Sequence, residues 1–251
     1  MRKAIFLIAW ACLLPSATWA QTLVVKAKLI HTVSGKSIAN GTIVCVDGKI
    51  ASISETATAP IPEGAKVIQA EIVTPGLIDV RGSVGLSGIL NVDHDSDHLE
   101  SSAPLQPELR AIDAYNPREE LIEYVRGFGV TTIHTGHAPG ELISGQTMIA
   151  KTRGGTVQEA LVVDGKAVCA TLTESSQKSG KQSPGTRGKQ MAMLRALLIE
   201  ASEYRSKLSK QSKETEKSDD SKVARNLKLE AIVDVLDGKK TPQSSASLSP
   251  D

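Results

Sequence analysis

Aromatic side chains are scarce. Two Phe, three Tyr and two Trp make up 3% of 251 residues, which argues against stacking platforms for bases or sugars. Cysteine is rarer still at three, and one of these, Cys12, falls inside an apolar N-terminal run. Cys45 and Cys169 alone cannot make a disulfide framework. An oxidising compartment allows a bond between them, but both sit in apolar strand-like runs, and two separate buried thiols are the better reading. Neither charge sign is in excess, with 29 Lys and Arg against 28 Asp and Glu. No global pull toward nucleic acid or an anionic membrane follows.

The N-terminus has the three parts of a secretion signal. Arg2 and Lys3 are basic, Ala4 to Leu14 is almost wholly apolar, and Ser16-Ala17-Thr18-Trp19-Ala20 offers small residues for cleavage after Ala20. The apolar run is too short to span a bilayer comfortably, so no integral membrane segment is expected once residues 1–20 are removed. Cleavage takes away Arg2 and Lys3 and no acid, leaving 27 bases, 28 acids and a net charge of −1. The expected location is outside the cytoplasm, in a bacterial periplasm.

Residues 21–75 read as small β-units. Leu23–Ile30, Thr42–Val46 and Lys49–Ile53 are strand-like, Asn40-Gly41 is a turn signal, and Asp47-Gly48 is a two-residue hairpin signal. Lys66–Ala70 then leads to Val73-Thr74-Pro75-Gly76-Leu77-Ile78-Asp79-Val80-Arg81-Gly82-Ser83. A Pro-Gly corner feeding an apolar run predicts a turn and a buried strand. The segment resembles the entry into the catalytic barrel of the amidohydrolase superfamily, where Pro-Gly-Leu/Phe-Ile-Asp leads into a metal-binding His-x-His. Arg81 and Ser83 stand at those two positions.

The resemblance implies an α/β fold: a partial β-sandwich followed by the first part of a (β/α)8 TIM-type barrel, here residues 76–238. Asn116-Pro117 predicts a helix start, with Asn116 as N-cap and Pro117 in the first turn. Gly127 and Gly129 end that helix before Val130–His134, and the Gly-Val-Thr-Thr run resembles the family's second barrel strand. Residues 146–172 read as an antiparallel insert, with Asp164-Gly165 as a second hairpin turn. Helices are predicted over 189–208, with Met191, Leu194, Leu198 and Ala201 on one face, and over 223–236. Residues 209–221 read as solvated linker and 239–251 as a disordered tail without a strand.

A full barrel takes about 250 residues by itself. Fewer remain after residue 75, so the barrel is expected to be truncated. Either the chain is a piece of a longer protein, the favoured reading, or an oligomeric or other partner chain supplies the missing C-terminal half.

The resemblance also implies a metal-dependent hydrolase, zinc being the first choice of metal, that cleaves a non-peptide C–N bond in a cyclic amide or related small molecule. That activity is expected to be impaired or lost in this chain, because Arg81 has no lone pair for a cation and Ser83 is a poor ligand. The alternative is a non-catalytic exported protein that binds a ligand or partner through loops 81–115 and 134–147. Candidate metal ligands are Asp93, His94 and His98, from Asp93-His94-Asp95-Ser96-Asp97-His98, and His134 at a strand end. A solvated acidic loop is the competing reading of the first three. His137 reads as a loop residue that caps a carbonyl or is exposed. No phosphate loop, nucleophile elbow or convincing Ser/His/Asp set is visible.

Overall fold

The computed structural model describes residues 22–55, 59–90, 92–180, 182–213 and 223–245. The secretion signal, most of the predicted linker and residues 246–251 of the tail lie outside them. The chain divides into two compact units, one ending at Pro75 and the other beginning at Gly76.

The first unit is a four-stranded sheet. Strands β1 (Thr22–Ile30), β2 (Ile38–Val46), β3 (Lys49–Ser54) and β4 (Lys66–Val73) lie in the order β3-β2-β1-β4. The β2–β3 connection is the predicted Asp47-Gly48 turn, with φ of 50° and 74° at its two residues. Two positive φ values give the backbone twist that an antiparallel hairpin needs. Ala27, Ile30 and Ile43 form the buried cluster of this unit. Cys45 is half-buried, Cys169 in the second unit is buried, and both are free thiols.

The second unit is built on a five-stranded sheet curled into a half-barrel, in the order β5-β6-β7-β8-β9. Its strands are β5 (Leu77–Gly82), β6 (Val130–Thr135), β7 (Ile143–Lys151), β8 (Leu161–Thr171) and β9 (Thr241–Ser245). The β5/β6 and β8/β9 pairs are parallel, and β7 is antiparallel to both its neighbours. Four strands therefore run one way and β7 alone runs against them. The short helix α1 (Ala111–Ala114) and helix α2 (Glu120–Gly127) cover one core, in which Ile122, Ile133 and Met148 meet. After α3 (Val157–Ala160), helices α4 (Arg187–Lys213) and α5 (Leu227–Leu236) cover a second core with Ile143 and Val168.

Several expectations change. The Leu77–Val80 run is a strand, but it is an edge strand rather than a buried one. Leu77, Ile78 and Val80 are 58%, 65% and 72% exposed. Among the described residues β5 pairs only with β6, and an apolar run does not say how many neighbours a strand has. Asp164-Gly165 is not a hairpin turn. Gly165, with φ of 59°, sits in a bulge where the ladder jumps from Gln146↔Val168 to Met148↔Asp164, and β8 continues through it.

The disordered tail is overturned in its first part. Residues 241–245 form β9, and Pro242 is tolerated there because an edge strand needs fewer ladder donors. Helix α2 begins at Glu120, since the Asn116 side chain accepts from the Arg118 amide and closes a turn of its own. On α4 the packed stripe is Leu194, Leu197, Ala201, Tyr204 and Leu208, while Met191 and Leu198 are exposed.

Candidate functional site

Strand β5 ends in a local knot. Asp79 Oδ1 accepts from the Arg81 amide at 3.1 Å, and Gly136 N–H donates to the Gly82 carbonyl at 3.1 Å. Gly82 pairs with Thr135, the register shifts between Asp79 and Gly82, and the Arg81 charge on β5 reaches His134 on β6. His134 Nε2 lies 2.7 Å from Thr147 Oγ1 on β7, and that hydroxyl also accepts from the Ala167 amide on β8 at 3.1 Å. The imidazole thus ties three strands together through one threonine.

Burial pushes the protonation of His134 down. The Val80 carbonyl opposes this, the Arg81 charge adds to it, Asp79 opposes and Lys166 adds. The ring is therefore neutral near neutral pH. Arg81 Nη1 is buried without a hydrogen-bond partner. Burial pushes the Cys169 thiol up, and Arg81 works against that, so the field of one guanidinium reaches both β6 and β8.

This donor set does not fit the divalent metal that the resemblance implies. A guanidinium stands at the first expected ligand position, and the His134 nitrogen facing Thr147 is already engaged. Among the described residues no three or more His, Cys, Asp or Glu side chains gather so as to hold an ion. Asp93 and His94 are exposed on a 3-10 turn over Asp93–Asp95. His98 is not joined to His134. Its carbonyl accepts from Ala138 N–H at 2.7 Å, which places it beside His137.

His137 is buried rather than exposed, with neither ring nitrogen in a hydrogen bond, and His98 Nδ1 is also buried and unpartnered. The His137 ring packs on Gly145, whose missing Cβ would lie 2.3 Å from its Cδ2. Burial pushes His137 down, the His98 carbonyl opposes this, and the His98 charge adds to it.

Two groups gave no signal in the sequence. Glu141, wholly buried, is paired with Lys178, 37 positions away. Glu119 is buried beside the Asp93–His98 loop, and His94, Asp95 and Asp97 share with it a cavity of about 290 Å³. A spacing pattern cannot reveal such pairs, because the partners come from separate loops.

No family model matches this sequence, and no curated protein is detectably similar to it. Solved structures do match. An amidohydrolase from Thermotoga maritima MSB8 superposes with a TM-score of 0.81 at 22% identity, over 89% of this chain and 58% of its own. An ochratoxinase from A. niger covers 31% of this chain and 18% of its own at 22% identity, with a TM-score of 0.25. The N-acetyl-D-glucosamine-6-phosphate deacetylase of Mycobacterium smegmatis covers 46% and 32% at 16% identity, with a TM-score of 0.27. Those two superpositions are too partial to carry a structural argument. The first is not, and it gives the chain the fold of an amidohydrolase over a span 58% as long as that neighbour.

Proposed function

We propose that the protein is a hydrolase of the amidohydrolase type, acting outside the cytoplasm on a non-peptide C–N bond of a small molecule such as a cyclic amide. The observation that carries this reading is the fold likeness, a TM-score of 0.81 across 89% of the chain. Arg81 near the end of β5 and His134 near the end of β6, the latter bonded to Thr147 of β7, lie at the end of a parallel strand pair, where barrels of this kind do their chemistry. Arg81 on β5 supplies a fixed positive charge able to orient an anionic or carbonyl group, and His134 ties the neighbouring strands β6, β7 and β8 together through Thr147.

A second reading is favoured by one specific observation. Arg81 and Ser83 replace the paired histidines, which suits a scaffold that binds a ligand without turning it over. The two readings separate in one experiment. The purified chain is dialysed against zinc or manganese and offered a panel of cyclic amides and imidazolone-like rings. Ring opening, followed by loss of ring absorbance, supports the hydrolase. Thermal stabilisation by panel members with no opening above the buffer rate supports the binder.

A further inference from the structure

The Asp93–His98 segment folds over the cavity of about 290 Å³ between the loop after β5 and the approach to α2. Asp97 N–H donates to the Leu86 carbonyl at 2.8 Å, which closes this loop on itself. Asp95 packs against Gly88, where a Cβ would lie 2.6 Å from the Asp95 Cβ and 3.0 Å from its Oδ2. Gly88 has φ of 67°, so only glycine lets the chain turn there and leave room for that carboxylate.

The wall is acidic. Asp95, Asp97, Glu119 and Glu120 line the cavity against one guanidinium, that of Arg118, whose Nε already donates to the Gly155 carbonyl at 3.0 Å. None of the four carboxylates is in an ion pair among the described residues.

One buried group lines this site and a second, Tyr115, lies close to the first. Glu119 is only 9% exposed, and its Oε1 has no hydrogen-bond partner. The Tyr115 hydroxyl, near enough for Glu119 to raise its pKa, is also buried without one. A buried carboxylate oxygen without a donor costs free energy that a ligand with N–H groups removes. Burial pushes the Glu119 carboxyl up, the Gly85 amide opposes, Asp95 adds to the rise and the Gly88 amide opposes. A positive charge placed beside it acts against that rise.

We propose that this cavity binds a small primary ammonium compound, with Glu119 as its buried anionic anchor and Asp95 and Asp97 as the rim. A bare divalent ion suits it less, since among the described residues no three ligating side chains converge. The cavity is also much larger than one ion and sits at the small end of organic-ligand pockets. An ammonium has three donors and tolerates carboxylates at several angles. The inference does not rest on hydrolysis, because it concerns binding alone.

The test is calorimetric titration of the full chain with butylammonium chloride, 1,4-diaminobutane, butan-1-ol, choline chloride and magnesium chloride. Butylammonium or the diamine should bind, butan-1-ol should not, and choline, without N–H donors, should bind at least about tenfold more weakly. Glu119→Gln should weaken ammonium binding by about tenfold or more with an unchanged helical spectrum. If that variant does not fold, Asp95→Asn with Asp97→Asn serves, and should weaken binding severalfold. Unchanged ammonium binding in the folded variant overturns the proposal. So does equal binding of butan-1-ol, tighter binding of magnesium, or no binding by any amine.

Discussion

The pair of Glu141 and Lys178 offers the sharpest test of how the loops around the strand ends are held. Glu141 is 0% exposed, its Oε1 faces Lys178 Nζ, and its Oε2 has no partner. Lys178 also donates to the Gly140 carbonyl at 3.4 Å, so one ammonium ties the loop after β8 to the loop before β7. Lys178→Met keeps the apolar stem and leaves a buried carboxylate alone. Breaking a buried pair from one side costs about 3–5 kcal/mol, and the lower end applies because the Lys178 side chain is 24% exposed. Glu141→Gln removes the charge and leaves Lys178 able to turn to water, at a cost of about 1–2 kcal/mol. The double variant leaves no buried charge and should cost less than Lys178→Met alone, giving a coupling of about 2–3 kcal/mol. Urea unfolding followed by helical circular dichroism measures this, since every helix among the described residues lies in the second unit. A cost below about 1 kcal/mol for Lys178→Met, or strict additivity, would refute the reasoning.

Four further outcomes are expected. Met148→Ala, at a fully buried position shared with Ile133, should lower stability by about 2–5 kcal/mol in the same urea assay. Gly145→Ala places a Cβ 2.3 Å from His137 at φ of 138° and should cost about 1–3 kcal/mol, part of which His137→Ala restores in the double variant. His137 is held below its ordinary value by burial, so the unfolded chain takes up its proton first as pH falls. Its contribution is present above about 6.5 and lost below it, and the slope of stability against pH between about 7 and 5 should flatten in His137→Gln. Tyr115 is pushed up to about 12, chiefly by burial and further by Glu119, so Tyr115→Phe should remove phenolate absorbance that develops around pH 12 in an alkaline titration.

Where local chemistry determines structure, the sequence was a good guide. Asp47-Gly48 became a hairpin because two positive φ values are cheap for those residues. Gly129 ended α2 and Val130–Thr135 became β6 because glycine and β-branched residues favour those states. Errors arose where a neighbour decides. Nothing in Leu77–Val80 says that, among the described residues, only one strand pairs with it. Nothing in Thr241–Ser245, polar and with a proline, suggests a strand until β8 offers its edge. Gly165 signals a positive φ, but a bulge and a turn both use one. The site was legible as residue types and not as an arrangement. His98 met His137 rather than His134, and Glu119, which completes the acidic cavity, lies in no motif.

The backbone geometry at the end of β5 is independent of the side chains at positions 81 and 83. Its geometry is made by Asp79, which holds the Arg81 amide, and by the Gly82 carbonyl, which receives the Gly136 N–H. Neither bond uses the side chain of residue 81 or 83. The strand end therefore keeps its geometry with a guanidinium at position 81 and a hydroxyl at position 83. At this end of the sheet the Arg81 charge acts on both His134 and Cys169 with the Asp79 carboxylate beside it, whereas the cavity under Asp93–His98 is lined by four carboxylates and one guanidinium.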